Sequence, residues 1–410
     1  MEKEKTTSLF TSYQRLIIAV LALLQFTVIL DFMIISPLGD ILMKTLSVKT
    51  SEFGLVVSSY AFSAAISGIL AAGFADHYDR KKLLIFFYTG FIAGTLFCGL
   101  ATNFQTLLIA RIVTGLFGGV IGSISLAIVA DLFPPDMRGR VMGFIQMAFA
   151  GSQILGIPFG IFIAAHFGWH YTFFFIVILA ALILMVVFLK MKPIDGHLGK
   201  QKDKSAFMHL WHTLLNKRYQ TGFLATMFMA IGGFMIMPFS ASFLVNNIRI
   251  TQESLPVVFM STGIASIVIM PLIGKLSDRV DKFKIFAFGS LLAATMVMIY
   301  VNLPVVPLWT VIMVNIILFT GIMSRMVPAS SLNTNVPVPQ DRGAYMSITS
   351  SLQQMSGGLG AVIAGMIVHQ QTKTSPLEHF STLGIIVATL VLCTIWFMYR
   401  VDRMVKSGKA

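Results

Sequence analysis

An aspartate and an arginine set in apolar runs are the residues of this chain most able to do chemistry. Asp31 lies in Leu30-Asp31-Phe32-Met33-Ile34-Ile35-Ser36-Pro37-Leu38, and Arg111 opens Arg111-Ile-Val-Thr-Gly115 in a later run. A carboxylate in a bilayer costs about 2.5–3.5 kcal/mol on insertion scales unless it meets a cavity or a partner. Low dielectric penalises its charged form, which makes Asp31 a site for proton exchange. Arg111 stays charged at any relevant pH and competes with a proton for that carboxylate. The pair is read as a proton-coupling site. The plainer readings are a structural, hydrogen-bonded aspartate and an arginine that snorkels to the surface.

The elements that position these residues are themselves apolar. The chain has 410 residues, 56% hydrophobic and only 11% charged, too little charge to cover a soluble surface. Runs of about 18 or more apolar residues, each long enough to cross a bilayer, recur along it. Twelve spans are expected, at roughly 15–42, 53–75, 83–101, 105–131, 140–165, 170–190, 220–245, 255–275, 284–302, 306–330, 343–368 and 379–399. They are too long, and alternate too little, for barrel strands. The first run is too long for a signal-peptide core and is read as a span that stays. The reading is an all-α membrane protein of twelve transmembrane helices in two pseudo-symmetric six-helix bundles.

The net charge of +13 does not point to nucleic acid, because the basic residues gather in alternate loops. Of the 30 Lys and Arg, only Lys44, Lys49, Arg249 and Lys373 fall on the opposite side, while Arg111 and Arg325 fall within spans. That asymmetry places both termini in the cytoplasm and the chain in the inner membrane. Arg325 is expected to snorkel to the cytoplasmic surface. Cys98 and Cys393 lie in apolar runs and form no disulfide framework; no spacing suits a metal, and no phosphate-binding loop is present. The polar stretch 191–219 divides an N-terminal bundle, 1–190, from a C-terminal one, 220–410. Phe207, Leu210, Trp211, Leu214 and Leu215 follow helical spacing there, as in a short amphipathic helix on the membrane surface.

The halves repeat. Ala75-Asp76-His77-Tyr78-Asp79-Arg80 has a relative in Ser277-Asp278-Arg279-Val280-Asp281-Lys282. Aligning Asp76 with Asp278 also sets Asp79 opposite Asp281. Pro135-Asp136-Met137-Arg138-Gly139 resembles Pro339-Gln340-Asp341-Arg342-Gly343 at a similar offset. Two repeated bundles suit a transporter with its site between them near the midplane.

These residues resemble the major facilitator superfamily over the full chain. Residues 72–81 are similar to its loop signature G-x-L-A-D-R-x-G-R-K, with Ala72 and Asp79 in place of two glycines. Arg111-Ile-Val-Thr-Gly115 resembles R-x-x-x-G, and Gly168-Trp169-His170-Tyr171-Thr172-Phe173 resembles G-W-R-W-x-F with His170 for arginine. Gly151, Gly156, Pro158 and Gly160 are loosely similar to the G-P-x-x-G-G pattern of the drug:proton antiporters, and Leu30 to Pro37 to an L-D-x-x-x-x-x-P pattern of twelve-span exporters. The resemblance implies that Asp31 and Arg111 meet beside a central cavity. It also implies a conformational latch in which Asp76 faces the start of span eleven, Arg80 pairs with Asp131, and Asp278 faces the start of span five near Arg138.

For substrate contact the candidates are Gln153, Asn315, Gln353 and Met235, polar or soft groups within spans. The expected function is a proton-coupled exporter of lipophilic or amphiphilic small molecules, working as a monomer in the lipid bilayer without a cofactor. An exporter of sugars or lysophospholipid-like solutes, and a sensor of the same fold that does not transport, are the alternatives. A membrane-embedded enzyme would need more acids and histidines within the spans than the chain holds.

Overall fold

The computed structural model describes residues 10–74, 77–196, 198, 206–338 and 341–407. Asp76 and the side chain of Phe207 lie outside the described residues. The first half runs α1 (Ser12–Ile34), α2 (Gly39–Leu46), α3 (Thr50–Phe74), α4 (Arg80–Gly99), α5 (Phe104–Leu132), α6 (Pro135–Gly151), α7 (Ile157–Phe167) and α8 (Trp169–Lys190). A short helix, α9 (Ala206–Leu215), follows. The second half runs α10 (Lys217–Ile236), α11 (Ser240–Asn246), α12 (Leu255–Arg279), α13 (Lys282–Val301), α14 (Leu308–Thr334), α15 (Arg342–Ile367) and α16 (Phe380–Lys406). Among the described residues the only extended pairing is a single bridge, His369 with Glu378.

Eleven segments are long and apolar enough to cross a bilayer. The twelfth, α15, has 26 residues, about 39 Å of helix, but carries Ser347, Thr349, Ser350, Ser351, Gln353, Gln354 and Ser356. Its polarity is tolerated because Ser351 and Ser356 are buried where it packs against α3 and α10. The protein is therefore an all-α membrane protein of twelve transmembrane helices. α1, α3, α4, α5 and α8 pack on one another in one bundle, and α10, α13, α14, α15 and α16 in the other.

Breaks in the apolar runs have local causes. The first expected span, 15–42, is two helices: the chain turns over residues 35–38, which include Pro37, and α2 restarts at Gly39. Pro238 does the same between α10 and α11, through a 3-10 turn at Met237–Phe239. In the fifth span Pro158 has no N–H to return to Ile154, and the ladder widens into one π turn at Ser152–Gly156.

The repeated loops have a capping chemistry. Asp79 accepts the backbone N–H groups of Lys81 and Lys82 at 2.7 and 3.2 Å, and Asp281 accepts that of Lys284 at 3.2 Å. The second acid of each repeat is thus the N-cap of α4 or α13, the position where a carboxylate satisfies orphan donors. Lys81 reaches the carbonyls of Phe188 and Met191 at 3.0 and 2.6 Å, closing the end of α8.

Arg325 does not snorkel. It is 6% exposed, donating Nε to Ser290 at 3.0 Å and Nη2 to Thr394 at 2.8 Å, with its guanidinium 5.7 Å from the Phe286 ring. Hydroxyls on α13 and α16 supply acceptors inside the bundle, so the side chain has no need of the surface. Arg325→Ala is expected to cost about 2–3 kcal/mol through these two charge-assisted bonds. The thermal midpoint of the detergent-purified protein measures it, and an unchanged midpoint would refute the bracing role.

α9 lies against α10, α15 and α3. Leu210 and Leu214 pack on the cluster of Tyr219, Phe223 and Tyr345, whereas Trp211 and Leu215 are 50% and 54% exposed. Asp341 fixes this helix: its carboxylate accepts His209 Nε2 at 2.9 Å and the Tyr219 hydroxyl at 2.7 Å. Those two bonds, the histidine's first, hold the Asp341 carboxyl below its ordinary range. A depressed carboxyl contributes its stability at neutral pH and loses it as pH falls through the folded value, below about 3.9. Docking of α9 is thus expected to persist through mildly acidic pH as far as Asp341 is concerned. Asp341→Asn should raise amide hydrogen exchange in residues 206–215 about fivefold at pH 7; unchanged exchange would show that apolar packing alone seats the helix.

Candidate membrane-embedded ion-pair site

Asp31 sits in the last turn of α1, just before the chain turns at Pro37. Arg111 lies two turns into α5, whose start is fixed by a capping box between Asn103 and Thr106. The two helices run in opposite directions, and this places the residues at one depth. Arg111 Nη1 donates to Asp31 Oδ2 at 2.8 Å and to the Asp31 carbonyl at 3.3 Å. Both side chains are 0% exposed. Thr95 of α4 donates to Asp31 Oδ1 at 3.2 Å, and the Tyr60 ring of α3 covers the guanidinium at 4.6 Å.

The arginine is only partly satisfied. Its Nε and Nη2 are buried without a hydrogen-bond partner among the described residues. Its charge is therefore met by one carboxylate, one carbonyl and one π face. A buried pair of this kind depends on both members, since removing one leaves an uncompensated charge. Aromatic packing links the pair to the other half of the molecule: Tyr60 lies 5.1 Å from Phe32, and Phe32 lies 5.8 Å from Phe234 of α10.

The other candidates scatter. Arg80 Nε pairs with Asp131 Oδ2 at 3.1 Å, joining the start of α4 to the end of α5. Arg138 turns back to the carbonyls of Phe133 and Ala130 at 2.9 and 2.6 Å, and among the described residues no ion pair joins it to the exposed Asp278. The end of α5 leaves free carbonyls within its reach, and these take the guanidinium. Gln153 falls in the π turn, which crosses α12 so closely that a Cβ on Gly263 would stand 3.2 Å from the Gln153 carbonyl. Asn315 folds its amide back onto the Val311 carbonyl at 2.9 Å. Gln353 is exposed on α15. Met235 is wholly buried among core residues.

Sequence reasoning missed the residues that join the two halves. Asp40, at the start of α2, is 1% exposed. It accepts Lys44 Nζ at 2.7 Å from its own helix, Asn246 Nδ2 at 2.6 Å and Gln252 Nε2 at 2.7 Å from the second half. Thr50 donates to the Val368 carbonyl at 2.6 Å, and Lys373 Nζ to Lys44 O and Ser47 Oγ at 2.9 and 2.8 Å. Among the described residues every hydrogen bond between the halves lies at this end. α3 and α15 also cross here without side chains between them: a Cβ on Gly54 would stand 2.7 Å from the Ala361 carbonyl, and one on Gly365 2.9 Å from that of Thr50. The signal available was Pro37-Leu-Gly39-Asp40, a break followed by an acid inside an apolar run.

Known proteins share this architecture. A family model described as Major Facilitator Superfamily matches residues 21–361. The uncharacterized MFS-type transporter YceJ of Bacillus subtilis (strain 168) is 23% identical over 372 residues, covering 90% of this chain and 94% of that protein. A probable sugar efflux transporter of Helicobacter pylori (strain G27) is 22% identical over 344 residues, 83% and 85% of the two chains. Multidrug resistance protein 3 of Bacillus subtilis (strain 168) is 32% identical, but over 136 residues, 33% of this chain and 27% of that one. Among solved structures, the D-xylose-proton symporter superposes with a TM-score of 0.80 at 18% identity, covering 95% of this chain and 98% of that chain.

Proposed function

This chain belongs to the Major Facilitator Superfamily, and from that premise we propose that it is a proton-coupled exporter of lipophilic or amphiphilic small molecules, working by alternating access. The observation that carries the proposal is the fully buried pair of Asp31 and Arg111. Protonation of Asp31 removes the only carboxylate that Arg111 holds among the described residues and frees a guanidinium that already has two idle nitrogens. The packed route through Tyr60, Phe32 and Phe234 would pass that change to the interface between the bundles. A proton moves the equilibrium only if it binds the two states unequally; the pair itself lies within the first half, and the ring contact of Phe32 with Phe234 is where its state would be felt by the second.

In the proposed orientation both termini are cytoplasmic, in an inner membrane, and the sealed end bearing Asp40 faces outward. The bundles would be 1–190 and 220–410, with 191–219 as the cytoplasmic link and α9 resting Trp211 and Leu215 on the membrane surface. Arg80 and Asp131, with Asp76, Asp278 and Arg138, would serve as the inner latch when that side closes. Gln153, at the crossing of the π turn and α12, is the first substrate contact to test. Export of sugars is the second reading, favoured by the sugar efflux transporters among the relatives.

Proton-coupled flux in proteoliposomes against organic cations, sugars and lysolipids tests both. Uphill movement of an amphiphile with alkalinisation or acidification of the lumen supports the first reading. Movement of sugars alone supports the second, and substrate movement indifferent to a proton gradient would reject proton coupling.

A further inference from the structure

A groove of about 550 Å³ opens on the outward face of α16, lined by Trp396, Tyr399, Arg400, Arg403, Met404 and Ser407. Spacings of three and four residues bring this set onto one stripe of the helix. The opposite stripe, with Met398, Val401 and Asp402, is buried against the bundle. The Arg400 guanidinium lies 5.2 Å from the Trp396 ring, and that of Arg403 lies 5.7 Å from the Tyr399 ring. Both rings are open, at 55% and 43% exposure. Among the described residues neither arginine has a carboxylate within ion-pair distance. The neighbouring acids, Asp281 and Asp402, are both held by Lys406.

Depth decides what such a groove meets. α16 has 27 residues, about 40 Å of helix, against about 30 Å of hydrocarbon. Counted from Phe380, the hydrocarbon ends near Arg400, so Trp396 and Tyr399 fall at the boundary and the two guanidiniums at headgroup level.

We propose that this groove binds the phosphate of an anionic membrane phospholipid. Each guanidinium is already turned and held by its ring, and its fork suits phosphate oxygens. The open faces of Trp396 and Tyr399, with Met404, provide the apolar wall along which an acyl chain leaves the headgroup. Free phosphate would use the cations and leave that wall idle; a lipid uses both. On its other edge α16 is tied to the N-cap of α13 through Lys406, so a bound lipid fixes a helix end that is already coupled to its neighbour in the bundle. The inference rests on α16 crossing the membrane and is independent of proton coupling.

Native mass spectrometry of the intact protein from detergent tests it, with phosphatidylglycerol, phosphatidylcholine or inorganic phosphate added. Phosphatidylglycerol should stay bound and the other two should not. R400Q/R403Q should retain it roughly thirtyfold less, the effect expected for two cations near an anionic surface. K190Q/K217Q, which removes the same charge from exposed positions elsewhere at that end of the molecule, should retain it as the parent does. Equal retention by R400Q/R403Q and the parent overturns the proposal, as does an equal loss in K190Q/K217Q or binding of inorganic phosphate alone at the same strength. R400K/R403K separates charge from fork geometry and should fall between the two.

Discussion

Asp31→Asn is expected to abolish uphill transport and to leave the protein folded. The two halves of that expectation come from one argument. If the transport cycle includes a protonated Asp31, the protein already visits a state in which a neutral side chain stands beside Arg111. Asparagine imitates that state: its oxygen still accepts from Arg111, and Thr95 can stay nearby. The variant should therefore purify as a monodisperse species with a thermal midpoint near the parent's. If the pair only braced α1 against α5, loss of one buried charge would cost about 3–5 kcal/mol, enough to unfold many proteins outright. Transport separates the readings a second time. With the proton site gone, substrate should still equilibrate down its own gradient in proteoliposomes while accumulation against a gradient disappears. A folded Asp31→Asn protein that still concentrates substrate would end the assignment of Asp31 as the coupling acid. Arg111→Lys offers a control. It keeps the charge but loses the fork and most of the contact with Tyr60, so coupling should weaken and not vanish.

How much of this was legible beforehand differs by level. Twelve spans, the duplicated loops and the pairing of Arg80 with Asp131 follow from hydropathy, offset and family resemblance, because each is written in one or two residue types at fixed spacing. The meeting of Asp31 with Arg111 was legible too, since two charges in hydrocarbon have few other places to go. Arg325 shows where that logic misleads: neutral hydroxyls at Ser290 and Thr394 satisfy it, and serine and threonine within spans look like ordinary helix residues. Met235 reads as a soft lining residue, and the structure packs it wholly within the core. Asp40 was the largest omission. Its two partners in the second half, Asn246 and Gln252, lie more than two hundred residues away, and neither amide is unusual at a helix end or in a turn. No local pattern marks a carboxylate as a bridge between bundles; only the tertiary arrangement does.

Asp40→Ala is expected to open the end of the molecule that the structure shows sealed. Asp40 is the hub of that seal, a buried carboxylate with three donors on it, two of them from the other half. Truncation strands Gln252 Nε2 and leaves Asn246 Nδ2 with only the Ser242 carbonyl at 3.0 Å in the closed arrangement, whereas in the open one both amides reach water. The penalty therefore falls on one state only, which is the condition for a population shift. At about 1–3 kcal/mol for each stranded donor, a conservative sum near 2 kcal/mol moves the ratio of states about thirtyfold. Ser242 on α11 is wholly buried beside this seal, and Cys98 is equally buried, so Ser242→Cys in a Cys393→Ser background reports access from that side. Labelling by a membrane-impermeant thiol reagent should be at least tenfold faster with Asp40→Ala than without it. Thr50→Val, which removes one hydrogen bond to the Val368 carbonyl and no charge, should give a smaller increase. Lys373 is exposed, so Lys373→Ala should give less still, because its hydrogen bonds to Lys44 O and Ser47 Oγ are readily replaced by water. Unchanged labelling in Asp40→Ala would move the seal from the polar cluster to the backbone crossing of Gly54 and Gly365. Gly54→Ala would then be the variant that opens it, since its Cβ cannot be accommodated 2.7 Å from the Ala361 carbonyl without driving α3 and α15 apart.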